Sequence, residues 1–453
     1  MSNVLDLFDQ TVFLGERATG ATNLLQCVWI YNRAIDIDGL HRFHRHLQRG
    51  RLSRRIEPSP VPFGRHRWVA PKGQSGLEIV ATPRSRDGLD AWLGEQADTP
   101  LDAEHGPGWH LAVLPFTDGG AAVSLVISHC LSDGVGLCEA LADAAAGRHD
   151  PIDWPAAGSR GWWRAVREDA GQTARDIPGI GRAIVAATRM ARRNSADAAA
   201  PIAKPPVISG RPDERVTLPT ATIFVDADEW DARAESLGGT SNTLLAGLAA
   251  RLAQRVGRIA ADGSVAVTMP VNERAAGDTR ANAITNVDFS VDPAPAAADL
   301  SDIRATIKQA LIRSADETNA RWQLLHLAPL LPQWLVRRCV GFSANGAASV
   351  ISSNLGAVDP ACRRPDGADA DHFVMKPLGP GVTKAVMHRL GGLLVLLSGR
   401  THGRVFVSVL AYQPGSTNSN DKLGQDLSNA LADFALTATI GWPRPVPVAG
   451  LPA

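Results

Sequence analysis

Short continuous apolar blocks alternate along this chain with stretches in which apolar residues recur every third or fourth position, the two signatures of buried strands and of helices that bury one face. Leu24–Tyr31 (LLQCVWIY), Trp109–Pro115, Ala121–Ile127, Ala221–Val225 and Val265–Val271 are blocks of the first kind. Leu393–Ser398 and Arg404–Tyr412 add two more, spaced as an antiparallel pair, and Ser349–Asn354 reads as a strand end. The helical spacing predicts helices over Asp38–Arg49, Asp87–Gln96, Ser241–Arg255 (from a serine N-cap), Leu300–Ala320 and Asp421–Ala438. Val4–Arg17 fits a strand or a short helix. A proline-rich turn at Glu57–Phe63 and strands around Trp68 and at Gly76–Ala81 complete the first third.

This alternation describes an α/β chain, and its character changes once. Between Pro151 and Pro219 a basic helical stretch, Arg160–Arg193, leads into an alanine- and proline-rich tether, Asn194–Pro206. The expected division is therefore residues 1–150, a crossover linker over 151–219, and residues 220–453, with a site in the cleft between the halves. A chain of 453 residues agrees, since cores seldom grow beyond one domain of this length. No internal repeat is visible.

Charge and cysteine content narrow the chemistry. Acidic and basic residues balance at 46 each, so nothing in the global charge favours nucleic acid. The five cysteines are scattered without a CxxC, as reduced thiols are. Cys130 is read as a packing residue. The first residues are acidic where a signal peptide is basic, and no apolar run approaches the roughly 20 residues of a membrane span. A cytoplasmic protein is expected, with peripheral contact to anionic lipid offered by the arginines and the Trp162-Trp163 pair of 160–193. The HRFHRH run (His41, His44, His46) has interleaved arginines and no completing carboxylate or thiol, so a solvated helix face is expected there rather than a metal site. There is no GxSxG elbow, phosphate-binding loop or HExxH.

The chemistry concentrates in AAVSLVISHCLSDGVG, Ala121–Gly136. A buried strand ends at His129, and Asp133-Gly134 opens an alanine-rich helix that ends near Gly147. An imidazole on a rigid strand end is well placed as a general base. Two readings of Asp133 stand open, a residue that shapes the loop or orients the ring, and a plain N-cap. His129 itself is open to the reading of an ordinary strand-end histidine.

SHCLSDG resembles the HHxxxDG motif of the condensation-domain superfamily, which shares the chloramphenicol acetyltransferase fold and includes wax ester synthase/diacylglycerol acyltransferases and polyketide-associated acyltransferases. Further segments fall in the family's order. RGRLSRRI (Arg49–Ile56) places Arg54 where the family has an arginine. PVNERAAGDTRANAITNVDFSVD (Pro270–Asp292) carries an Ala281-Asn282 step, Ser353-Asn354-Leu355-Gly356 resembles SNVPG, and Arg404–Pro414 resembles the late strand ending in a tyrosine. In two places the chain departs: Ser128 replaces the first motif histidine, and the DFGWG segment of the plant enzymes is absent.

The resemblance implies two chloramphenicol acetyltransferase-like subdomains with mixed sheets around a cleft or tunnel. It implies acyl transfer from a thioester, acyl-CoA or carrier-bound, to a hydroxyl, with no cofactor and no metal. His129 is then the base, and Asp133 pairs with Arg54 to hold the loop, with Gly134 allowing the tight turn. Asn282 is expected as an oxyanion donor, and Ser128, Ser353 and Asn354 line the substrate. An amine acceptor, and a member that binds an acyl ligand without turning it over, are the two alternative readings.

Overall fold

The computed structural model describes residues 3–73, 75–148, 152–197, 214–339 and 349–443. Its first part holds helix α1 (Leu7–Thr19), strand β1 (Leu24–Tyr31), α2 (Ile37–Leu47), β2 (Arg55–Glu57), β3 (Arg67–Val69), β4 (Leu77–Ile79) and α3 (Leu89–Ala97). Then come β5 (Trp109–Pro115), β6 (Ala121–Ser128), α4 (Gly134–Ala145) and the long α5 (Trp162–Asp197). The later part runs β7 (Thr220–Asp226), α6 (Ala227–Ser236), α7 (Ser241–Arg255), β8 (Val265–Asn272), β9 (Ile284–Val291), α8 (Ser301–Leu325) and α9 (Gln333–Cys339). It closes with β10 (Val350–Ala357), β11 (His372–Leu378), α10 (Lys384–Arg389), β12 (Leu393–Thr401), β13 (Arg404–Tyr412), α11 (Asn420–Asp433) and β14 (Ala438–Ile440).

Two mixed sheets organise these elements. The first has the order β11-β1-β6-β5-β4, antiparallel except for the parallel β4–β5 pair. Every residue of β1 is buried, because the sheet is covered on both faces. Cys27, Trp29 and Tyr31 join the core shared with α2 and α4, while Val28 and Ile30 face Trp92 and Leu93 of α3. Gln26 falls among the α3-facing residues, and its amide is satisfied by the Leu93 carbonyl and the Ser124 hydroxyl, both at 3.0 Å. Without those acceptors its burial would be costly.

The second sheet has the order β14-β7-β13-β12-β10-β8-β9, with β10 parallel to both neighbours. Helix α7 lies on it and is buried almost all round, from Thr243 to Ala253, as a helix enclosed on every side must be. It starts from Thr240 rather than from the expected Ser241: the Thr240 hydroxyl accepts the Thr243 N–H in a reciprocal capping box, and Ser241 instead accepts the Trp230 indole N–H.

The expected division at residues 150 and 219 is not how the chain is shared between the sheets. Strand β11, from the last third, is an edge strand of the first sheet, paired from Leu24↔Leu378 to Ile30↔His372. Trp29 confirms the dependence, donating its indole N–H to the Cys362 carbonyl at 2.7 Å. The linker contributes one long helix. Helix α5 packs on α8 and is anchored to the first lobe by Asp169, which is 1% exposed and accepts from Arg67, Arg160 and Ser59. Its outer face is apolar and basic: Trp162 and Trp163 are 59% and 78% exposed, Ile177, Ile184 and Val185 are exposed, and Arg164, Arg167, Arg175 and Arg182 surround them. Most of the predicted tether, from residue 198 on, lies outside the described residues. Among those described, no helix is long and apolar enough to cross a membrane.

A fragment ending at residue 150 should therefore not fold as a domain. Without β11 it leaves the apolar edge of β1 open, and burial of each large side chain there is worth roughly 1.5–3 kcal/mol. Near-ultraviolet circular dichroism of residues 1–150 is expected to lack fixed aromatic signals; a cooperative melt with a native-like aromatic spectrum would contradict this.

Candidate active site

Strand β6 carries the chain to Ser128 through eight buried residues, and His129 is the first position beyond it. The backbone of residue 129 is held on both sides. Its N–H donates to the Asn23 carbonyl at 2.9 Å, and its carbonyl accepts from Asn282 Nδ2 at 3.2 Å. The imidazole is half-buried, and among the described residues no group hydrogen-bonds it.

Asp133, 2% exposed, shapes the loop and is the N-cap of α4 at once. Its Oδ1 accepts the Gly136 N–H at 2.6 Å. Its Oδ2 accepts the Ala283 N–H at 2.7 Å and meets Arg274 Nη2 at 2.7 Å. Both oxygens are thus engaged, and no hydrogen bond or ion pair joins the carboxylate to the His129 ring. The glycines around it answer to close neighbours. A Cβ on Gly136 would lie 2.7 Å from Arg274 Nη2, and one on Gly134 would lie 2.7 Å from Leu355 Cδ2 of β10.

The expected Arg54–Asp133 pair is replaced by Arg274–Asp133. Arg54 is buried beside the same loop but donates to the carbonyls of Thr279 (2.5 Å) and Leu131 (2.8 Å), with its guanidinium 4.0 Å from the Trp68 ring centroid. Burial lowers its pKa to about 9, with Asp9 as the first opposing charge. Sequence reading missed Arg274, which lies within the quoted Pro270–Asp292 segment, and missed Asp9.

Asp9, wholly buried in α1, takes the other side of the 281–283 turn. Its Oδ2 accepts the Ala281 N–H at 2.9 Å; its Oδ1 accepts the Asn282 N–H at 2.8 Å and Asn282 Nδ2 at 3.0 Å. Burial raises its pKa to about 6 against these hydrogen bonds. The role expected of Asn282 changes accordingly. Its amide hydrogens go to Asp9 and to the His129 carbonyl, and the atom left over is Oδ1, an acceptor, which cannot stabilise an oxyanion.

The other expected residues divide. The Ser128 hydroxyl is fully buried and accepts the Cys130 N–H at 3.2 Å, which removes it from any substrate surface. Cys130 is buried, with its thiol donating to Glu16 Oε2 at 3.3 Å and its pKa raised by burial, so it packs rather than reacts. Asn354 ties β10 to α7, donating to Asn242 Oδ1 at 2.6 Å while its own Oδ1 accepts the Gly356 N–H. Ser353, half-buried on β10, makes no such tie. The HRFHRH run is less solvated than expected. His44 is buried edge-on to Trp109 and bonded to the Ser75 carbonyl, and His46 bonds to the Ala144 carbonyl.

The arrangement offers one half-buried imidazole whose backbone is hydrogen-bonded on both sides, and an ionic pair, Arg274–Asp133, that makes no hydrogen bond to it. Arg274 and Asp133 have side chains 1% and 3% exposed, so removing either leaves a buried charge unpaired. Asp133→Ala and Arg274→Ala are each expected to cost about 3–5 kcal/mol, with the double variant costing well below their sum. Denaturant titration checks this, and additive losses would mean the two do not act as a pair.

No protein-family profile matches the chain, and no curated protein matches it in sequence. Solved structures do match in shape over nearly its whole length. The first condensation domain of the CDA synthetase superposes with a TM-score of 0.57 at 14% identity, covering 96% of each chain. Polyketide synthase associated protein 5 from Mycobacterium tuberculosis gives 0.55 at 16% identity, covering 93% of this chain and 97% of that one. The wax ester synthase/diacylglycerol acyltransferase from Marinobacter aquaeolei VT8 gives 0.55 at 16%, covering 96% and 98%. With its two mixed sheets meeting at the His129 loop, the chain has the two-lobed, chloramphenicol acetyltransferase-like fold of condensation domains and wax ester synthases.

Proposed function

We propose that the protein is an acyltransferase that moves an acyl group from a thioester, CoA- or carrier-bound, to a hydroxyl acceptor, with His129 as general base. The observation that carries this reading is the half-buried imidazole at the end of β6, with its backbone hydrogen-bonded on both sides and, among the described residues, no hydrogen-bond partner on its ring. The structural neighbours named as condensation domains and as a wax ester synthase support the reaction class.

In this reaction a ring nitrogen of His129 takes the acceptor's O–H proton as the oxygen attacks the thioester carbonyl. The tetrahedral intermediate collapses with cleavage of the C–S bond, and the imidazolium returns the proton to the departing thiolate. Ester and free thiol are the products. No covalent enzyme intermediate is required. Asp133 acts only by keeping the loop in place.

His129→Ala is expected to lower thiol release by roughly 100- to 10,000-fold with donor binding retained. Ser128→Ala should stay close to wild type, because its hydroxyl serves the Cys130 amide. Thiol release from an acyl-CoA panel, with alcohols and amines as acceptors, is the measurement. Wild-type and His129→Ala proteins releasing thiol alike would remove the base, and acceleration by amines alone would replace ester with amide formation.

The outer face of α5 adds an interaction to this reading. Exposed indoles beside arginines form the arrangement that partitions at an anionic lipid surface, and a hydrophobic acyl acceptor would be met there. The protein is expected to co-sediment with vesicles containing phosphatidylglycerol, less so in high salt, and to lose this with Trp162→Ser/Trp163→Ser. Equal sedimentation of the double variant would refute the contact.

A further inference from the structure

We infer that α1 is the brace that aims His129, and that Asp9 is a positioning residue for it; the catalytic consequence rests on the proposed role of His129 as base.

The helix and the turn after it reach the histidine loop at three points. The first is Asp9, whose carboxylate grips the backbone of Ala281 and Asn282 and the Asn282 side chain, the same amide that donates to the His129 carbonyl. The second is Glu16, whose Oε2 accepts from the thiol of Cys130, the residue directly after His129. The third is the Asn23 carbonyl, which accepts the His129 N–H just beyond the end of α1. Asp9, Phe13 and Glu16 follow the i, i+4, i+7 repeat, so one face of one helix presents both carboxylates with a buried phenyl ring between them.

Asp9 is the member with the longest reach. Residues 281–283 are gripped from two sides: Asp9 accepts the N–H groups of 281 and 282, Asp133 accepts that of 283, and the Asp133 N–H donates to the Ala281 carbonyl at 2.9 Å. The turn therefore transmits the position of α1 to both ends of the His129–Asp133 loop. Bonding through backbone amides suits positioning, since none of these groups is free to touch a substrate. A buried carboxylate is kept at such a place only with its hydrogen bonds intact, and here the bonded groups are the histidine's own supports.

Two variants separate aiming from mere stability. Asp9→Asn keeps the shape and removes the charge that holds both amides; Asn282→Ala cuts the same line at its other end and serves if the first does not fold. Each is expected to lower kcat by roughly 10- to 100-fold with KM for the donor nearly unchanged, the consequence of a misplaced base. Because they act in series, the double variant should be scarcely slower than the worse single one. In parallel, 15N-histidine NMR, with the His129 signal assigned from its loss in His129→Ala, should show both variants moving that signal and leaving His388 of α10 in place. Unchanged kcat with only a lower Tm, losses that multiply in the double variant, or an unmoved His129 signal would each overturn the brace. If wild type and His129→Ala release thiol equally, it is the proposed reaction that fails, and the NMR comparison alone still decides whether Asp9 sets the ring.

Discussion

One carboxylate organises the centre of this protein. Asp133 cannot sit in the interior as a bare charge, and its surroundings supply two backbone donors and one cation. One donor is the start of its own helix, so the charge also lies where the helix dipole favours it. The others come from the segment joining β8 to β9, which belongs to the second sheet. The requirement to satisfy one buried group thus joins the two lobes four residues after the histidine. The small residue at 136 follows from it, since the Arg274 guanidinium occupies the space a side chain would need.

The local half of this arrangement was legible in the sequence, and the non-local half was not. A strand ending at His129 and a helix opened by Asp133 are consequences of neighbouring residues, as are the limits of β1 and β5, and the structure places them as the pattern predicts. The choice between Arg54 and Arg274 as partner of Asp133 is of another kind. Both converge on the loop, and what separates them is a distance across 141 positions of sequence. Asp9 stands 272 positions from the amide it holds, and nothing in LFDQTVF marks it as different from a first-turn acidic residue. Strand β11, HFVMKPL, carries no apolar block in the sequence, since a lysine and a proline interrupt it. It is a strand by virtue of the open edge of β1 that it covers.

Asn282 shows how a correct location can carry an incorrect role. Its place beside the histidine is as the motif order predicts, but the direction of its hydrogen bonds decides the chemistry, and those depend on Asp9. A side chain whose donors are already engaged stabilises the ground-state framework. It has nothing to contribute to charge that develops during a reaction.

The sharing of β11 between distant parts of the chain also has a consequence for synthesis. The indole of Trp29 waits for a carbonyl 333 residues further on, and β1 waits for its second neighbour still longer. At the usual pace of translation that interval is on the order of 20–70 s, during which a strand buried along its whole length in the finished protein has one uncovered edge. The first lobe is begun first and finished almost last. Until β11 arrives that edge is open to pairing with any other strand, so closing the first lobe falls to the nearly completed chain.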